Sequence, residues 1–132
     1  MDSSPILGNR DRLWYDGEGR LHREDGPAIE FANRNKSWYY HGELHREDGP
    51  AIEHDGGNWS WYYHGSLHRV GGPAVFYVTG SSFWYNMGLL HREDGPAVEW
   101  SRWNHVWYYH GKLINCRSQK EFERLIRLKA FW

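Results

Sequence analysis

Apolar and polar positions along this chain form a block that returns every 23 residues. Leu21, Leu44, Leu67, Leu90 and Leu113 keep that spacing. So do Trp38, Trp61, Trp84 and Trp107, and the Gly-Pro pairs at 26–27, 49–50, 72–73 and 95–96. A fixed period of this length marks a tandem array. The unit reads W-Y-Y-H-G-x-L-H-R-E-D-G-P-A-I/V-E, followed by a short variable stretch. Its W-Y-Y and P-A-I/V-E runs favour strands. His-Gly, as in His41-Gly42 and His64-Gly65, marks a turn in which Gly takes positive φ. Glu-Asp-Gly-Pro marks a second turn, with Pro at the first residue of the next strand, where its missing N–H matters least. The variable segments Ala32–Lys36, His54–Asn58, Val78–Ser82 and Ser101–His105 read as hairpin tips. Each unit then supplies about two strands, and consecutive strands pair antiparallel. About nine strands at ~4.8 Å make a sheet on the order of 40–45 Å long.

Both ends leave the pattern. At the start, Trp14-Tyr15-Asp16-Gly17 approximates the aromatic block, with Tyr15 in register. At the end, Trp107-Tyr108-Tyr109-His110-Gly111-Lys112-Leu113 is regular, but Ile114-Asn115 stands in place of His-Arg. Ser118-Gln119-Lys120-Glu121 then has capping-box spacing, and Phe122, Leu125 and Ile126 share one helical face. This predicts an amphipathic helix over 119–130 that caps the array, since a last unit without a cap exposes apolar surface and an open edge. The alternative role for this helix is partner docking. The expected organisation is a lead-in at 1–13, tandem repeats at 14–115 and the helix cap at 116–132, in one domain.

Composition narrows the function classes. Aromatic residues make up 17% of the 132 positions, with nine Trp and nine Tyr, while aliphatic residues are few. Rings, each burying roughly 150–250 Å², must supply most of the apolar area, which suits a thin sheet better than a thick globule. The formal net charge is -1, which gives no general pull toward nucleic acid or anionic membrane. A single cysteine, Cys116, excludes an internal disulfide and fits a reducing compartment. The start of the chain lacks the apolar core of a Sec signal, and no apolar run approaches the ~18 residues of a membrane span. A cytoplasmic location is expected, that of the host if the chain is viral.

The unit G-x-L-H-R-x-D-G-P-A preceded by W-Y-Y resembles a divergent MORN repeat. It is closer still to the W-Y-x-x-G-x-L-H-R-x-x-G-P-A repeats of phage, giant-virus and bacterial proteins, which end in a G-K-x-L-type segment and a helix containing Phe. Gly111-Lys112-Leu113 and Glu121-Phe122 carry that ending. The resemblance covers residue 14 to about 128. It implies a single-layer, twisted antiparallel sheet and a scaffold for protein interaction. The third repeat departs from it, with Val70-Gly71 in place of Glu-Asp.

Candidate chemistry reads mostly as fold. His22, His45, His68 and His91 recur at one position, and His41, His64 and His110 at another. Equivalent residues lie two strands apart, roughly 9–10 Å, too far to share one metal ion. The His-Arg-Glu-Asp block holds a base, a cation and two carboxylates, but repetition along a rod is unlike the single convergent pocket of an enzyme. Asp25, Asp48 and Asp94 are expected to accept backbone N–H groups at their turns, and Arg23, Arg46, Arg69 and Arg92 to pair with a neighbouring unit. Cys116 lacks a recurring activating partner. No catalytic residue, metal or cofactor is expected. Residues that do not recur are free to meet a partner: His54, Trp59, Phe76, Tyr77, Trp100, Arg102 and Trp103, all in or beside the tips and of types enriched in interface hot spots. The expectation is an all-β, elongated single-layer antiparallel sheet with a C-terminal capping helix. It would act as a non-catalytic scaffold binding a larger protein or ribonucleoprotein complex. By analogy with the phage repeats, it would inhibit a host defence complex such as a CRISPR nuclease. The alternative is single-stranded nucleic-acid binding through the aromatic and Arg surface, with Arg117, Lys120, Arg124, Arg127 and Lys129 adding a basic C-terminal segment.

Overall fold

The computed structural model describes residues 10–100 and 103–128. A ten-stranded antiparallel sheet runs in chain order through Arg12–Leu13, Ile29–Glu30, Lys36–Ser37, Ile52–Glu53, Trp59–Ser60, Val75–Phe76, Ser82–Phe83, Val98–Glu99, His105–Tyr109 and Lys112–Ile114. Three separate two-stranded hairpins flank it: Tyr39–Tyr40 with Glu43–Leu44, Tyr62–Tyr63 with Ser66–Leu67, and Tyr85–Asn86 with Leu89–Leu90. The elongated antiparallel array with one C-terminal helix is thus as expected, but each inner unit holds four short strands rather than two long ones.

The tryptophan explains the extra breaks. The Trp38 N–H donates to the Ala51 carbonyl at 2.7 Å, and the Trp38 carbonyl accepts from the His45 N–H at 3.1 Å, both within its own unit. At this residue the strand changes partners, from the main sheet to its own hairpin. Trp61 and Trp84 repeat both bonds. Trp14 does so too, through Ala28 and His22. Trp14 therefore occupies the tryptophan place of the first unit, and the expected register with Tyr15 there is corrected. The longer turn at Asp16–Arg20 absorbs the extra residue, held by Glu18 and Arg20 N–H groups on the Asp16 carboxylate. We number units from these tryptophans: one from Trp14, two from Trp38, three from Trp61, four from Trp84 and five from Trp107.

Each flanking hairpin closes through two residues in the left-handed region, such as His41 (φ 47) and Gly42 (φ 88). This is the two-residue turn that matches strand twist, and its first place excludes β-branched side chains. The opposite tips begin one residue earlier than expected in three cases. Phe31 bonds Asn35, Tyr77 bonds Ser81 and Trp100 bonds Asn104, while His54 bonds Asn58 as expected. Tips are tied from unit to unit by a column absent from the sequence reading. The Asn35 side chain accepts the Asp55 N–H and that of Asn58 accepts the Val78 N–H, both at 2.8 Å.

Register sorts the side chains into two faces, because directly paired residues point the same way. One row is Arg12, Glu30, Lys36, Glu53, Trp59, Phe76, Ser82, Glu99 and His105. The other is Leu13, Ile29, Ser37, Ile52, Ser60, Val75, Phe83, Val98 and Val106. We call these the charged face and the apolar face. The repeating tryptophans lie on the charged face, over Ala28, Ala51, Ala74 and Ala97, which are fully buried.

Helix α1 (Gln119–Arg127) closes the charged face at the fifth unit. The Ser118 hydroxyl accepts the Glu121 N–H, and the Glu121 carboxylate accepts the Arg117 N–H at 2.9 Å. Arg127 ends the helix; residues 129–130 of the expected span lie outside the described residues. Phe122 is fully buried against Trp107 and Ile114, with Tyr109, Cys116, Leu125 and Ile126 around them. The Trp107 indole N–H donates to Gln119 at 2.8 Å. The helix therefore covers the last tryptophan, where Asn115 stands in the place of the repeat arginine.

Candidate interaction surface

The His-Arg-Glu-Asp-Gly-Pro arc packs on the charged face, and its arginine is a layer in a sandwich. The Arg23, Arg46, Arg69 and Arg92 guanidinium carbons lie 3.9, 3.8, 4.2 and 3.7 Å from the Trp14, Trp38, Trp61 and Trp84 ring centres. On the other side of each guanidinium is the arc glycine. A Cβ added at Gly26, Gly49, Gly72 or Gly95 would stand 2.6–2.9 Å from the guanidinium carbon. A side chain there would have to push the guanidinium aside, which accounts for the Gly of each Gly-Pro. Each arginine also donates to the carbonyl of the proline four residues on, at 3.0–3.2 Å. A stacked, partly desolvated guanidinium contributes ~0.5–2 kcal/mol per contact.

The carboxylates complete the arc in a way the sequence reading did not foresee. Asp25, Asp48 and Asp94 accept from the Nε of the arginine two residues earlier, at 3.0, 3.1 and 2.8 Å. This charged donor joins the expected backbone contact, which Asp94 makes with its own N–H, and the Arg92 bond holds the Asp94 carboxyl below the usual carboxylate range. Glu30 and Glu53 reach Arg23 and Arg46 at 3.3 and 3.1 Å, and Glu99 lies 3.9 Å from Arg92. These ion pairs join groups of one repeat, whereas pairing with a neighbouring unit was expected. The reason is geometric: the arc folds back over its own tryptophan.

The histidines link units. The Nδ1 atoms of His22, His45, His68 and His91 accept the backbone N–H of His41, His64, Met87 and His110, respectively, at 2.8–3.0 Å. Accepting that bond requires an unprotonated Nδ1. Three of the four rings also stack on the next histidine, with centres 4.0–4.2 Å apart. Burial, and then the facing His110, push the His91 pKa down; Glu93 opposes them. With Nδ1 so engaged, these columns serve as fasteners between units. Among the described residues no group of three His, Cys, Asp or Glu is placed to hold a metal ion. Burial, and then Glu121, push the Cys116 thiol up, which keeps it protonated.

The residues singled out for partner contact fall into separate places. Trp59 and Phe76 stack on the charged face, 5.3 Å between ring centres. Tyr77 and Trp100 lie on the apolar face, each edge-on to Phe83, at 6.0 and 5.1 Å. His54 begins a tip turn and is exposed. Trp103 is 84% exposed at another tip. Arg102 lies outside the described residues. Phe83 was missed because a single Phe inside a strand carries no exposure signal. Tyr77 in turn faces Tyr62 and Tyr85, whose pKa values are raised by burial and then by neighbouring tyrosines.

Grooves open between consecutive arcs on the charged face. One of about 840 Å³ separates units one and two, lined by Arg23–Gly26, Trp38–Tyr40, His45–Asp48 and His64. One of about 290 Å³ separates units three and four, lined by Arg69–Gly71, Trp84–Asn86 and His91–Asp94. No helix among the described residues is long and apolar enough to cross a membrane. In comparisons with family models, curated proteins and solved structures, nothing matched this chain.

Proposed function

We propose that the chain is a non-catalytic, MORN-like protein-binding scaffold in which constant residues build the sheet and departures from the repeat meet a partner. The observation that best supports this reading is the Tyr77–Phe83–Trp100 cluster on the apolar face, with Tyr77 43% and Trp100 53% exposed. Exposed rings held in fixed edge-to-face contact offer a large contact area with little entropy left to lose on binding. A small chain that covers one face of a larger assembly acts as an inhibitor. The phage-type resemblance makes a host defence complex, such as a CRISPR nuclease, our choice of target class, by analogy. The test is capture from host lysate with and without nuclease, read by mass spectrometry, using the native chain and Trp100→Ala. A stoichiometric protein retained after nuclease and lost with Trp100→Ala, at unchanged thermal unfolding, is the expected result. Equal loss of capture and stability would assign Trp100 to the fold.

A second reading is single-stranded nucleic-acid binding, favoured by the exposed basic residues Arg117, Lys120, Arg124 and Arg127 at the helix. It requires oligonucleotide affinity that falls steeply with salt. Three of the four array arginines already face carboxylates of their own repeat, which weakens this reading.

A further inference from the structure

One arginine of the four is left without a carboxylate. Arg23, Arg46 and Arg92 each meet an aspartate at Nε and a glutamate seven residues on. Arg69 holds the same place over Trp61 and makes the same bond to Pro73. Yet Val70-Gly71 replaces Glu-Asp, and Phe76 replaces the glutamate. Among the described residues no ion pair of Arg69 is found, and burial alone lowers its pKa. Gly71 carries no side chain, and its φ of +83 departs from the backbone at Asp25, Asp48 and Asp94, so this arc offers no acid to Arg69.

We propose that Arg69 receives a carboxylate from a protein partner, an Asp or Glu side chain flanked by apolar residues, in the groove between units three and four. This rests on the scaffold reading and names the partner's chemistry. The rest of the groove fits such a guest. At about 290 Å³ it lies at the lower end of small-molecule pockets and suits a side chain. Val70 is 84% exposed on its wall, and Met87, whose N–H is bonded to His68, is 53% exposed at the adjoining turn. These apolar groups stand where other junctions carry Glu and His. The opposite wall presents Glu93 and Asp94, the latter already held by Arg92. Their charge disfavours a dianionic free phosphate more than a monoanionic carboxylate, and the exposed Val70 and Met87 side chains suit apolar flanks that a nucleic-acid backbone does not offer.

The test follows the Arg69 Nε–H signal of the full ¹⁵N-labelled chain by NMR, assigned by its loss in Arg69→Lys. The probes are acetyl-Leu-Asp-Leu-amide, acetyl-Leu-Asn-Leu-amide and inorganic phosphate. The expected result is a saturable shift with the Asp peptide in the millimolar range (about 1 mM is a modest contact) and none with the Asn peptide. Phe76→Glu, which restores the chain's own carboxylate, should abolish the shift, while Phe76→Leu should retain it; urea unfolding of both variants shows whether the fold survives. Absence of saturation with the Asp peptide would overturn the proposal, as would an equal or stronger response to phosphate. The titration needs no cellular partner. Its failure therefore leaves the scaffold reading to the lysate capture, and nuclease-sensitive capture alongside a positive titration would sink that reading while sparing the anion site.

Discussion

The groove between units one and two and the groove between units three and four share a hydrogen-bond frame and differ in chemistry. In the first, Arg23 and Arg46 sit on tryptophans with carboxylates on both, and His22 stacks on His41. In the second, Arg69 sits on Trp61 with no acid of its own, and Met87 and Asn86 interrupt the His-Tyr column. The hydrogen-bond frame is indifferent to this change. Arg69 N–H still bonds the Tyr85 carbonyl, as Arg23 N–H bonds that of Tyr39, and Gly88 N–H still bonds Leu67 as Gly42 N–H bonds Leu21. Backbone, tryptophan, arc glycine and alanine therefore specify the fold. The charged and imidazole groups are an overlay that one junction can lose.

Breaking the shared frame should harm both grooves alike, and it gives the largest effect. Trp38→Ala and Trp84→Ala each remove the ring on which an arginine rests, beside a buried alanine. Each is expected to cost ~3–5 kcal/mol in urea unfolding, as for other large aromatic truncations. A loss under ~1 kcal/mol for either would show that the tryptophan is replaceable and that the frame lies elsewhere. The overlay should separate the grooves. Arg46→Met strands Glu53 and Asp48 and is expected to cost ~1–2 kcal/mol. Arg69→Met also loses its stacking on Trp61 and Trp59 but strands no acid and relieves a half-buried charge, so its cost should be clearly smaller than that of Arg46→Met, about 1 kcal/mol or less. Equal losses would mean that the carboxylates contribute nothing and that stacking accounts for the whole arginine effect.

The arc glycines sharpen the same contrast on a smaller scale. Alanine at either Gly49 or Gly72 gains a few tenths to ~1 kcal/mol by restricting the unfolded chain. At Gly49 that gain is outweighed, because the new methyl pushes on a guanidinium tied to two acids, with 2.6 Å to the Arg46 Cζ. At Gly72 the guanidinium can yield. Gly49→Ala is expected to lower the melting temperature and Gly72→Ala to leave it nearly unchanged, as read by calorimetry. The reverse order would remove the tethering role of the acids.

The repeat, its antiparallel pairing and the closing helix were legible because each is a periodic signal: the 23-residue step, the turn residues and the Phe122–Leu125–Ile126 face. The partner switch at each tryptophan was not, since it depends on where the Trp38 N–H and carbonyl each find a partner, and no local propensity encodes that. The Arg-Asp pairing was hidden for a related reason: residues at i and i+2 of an arc meet only when the arc curls over its tryptophan. The departures at Val70-Gly71 were visible in the sequence. Their consequence for Arg69 was not, because Phe76 lies seven residues away and matters only once the arc folds back on the strand.

The smallest effect concerns protons. His91 accepts the His110 N–H through Nδ1 and faces the His110 ring at 4.2 Å, with Tyr109 and Glu93 beside it. Burial and the His110 charge hold its pKa below the ordinary histidine value of 6.5. A base whose folded pKa is depressed adds stability that is fully present above its unfolded value. That stability is lost as pH falls through the lower folded value. Stability from this junction should therefore fade below about pH 6.5. His110→Met gives the junction of units four and five the ring-free partner found between units three and four. It removes the facing His110 imidazole but not the burial, so the His91 midpoint in an NMR titration should rise part of the way toward 6.5, and the loss of stability on acidification should shrink. An unchanged midpoint would mean that burial alone depresses His91, and that the facing imidazoles of the other junctions add no acid sensitivity beyond that of Met87.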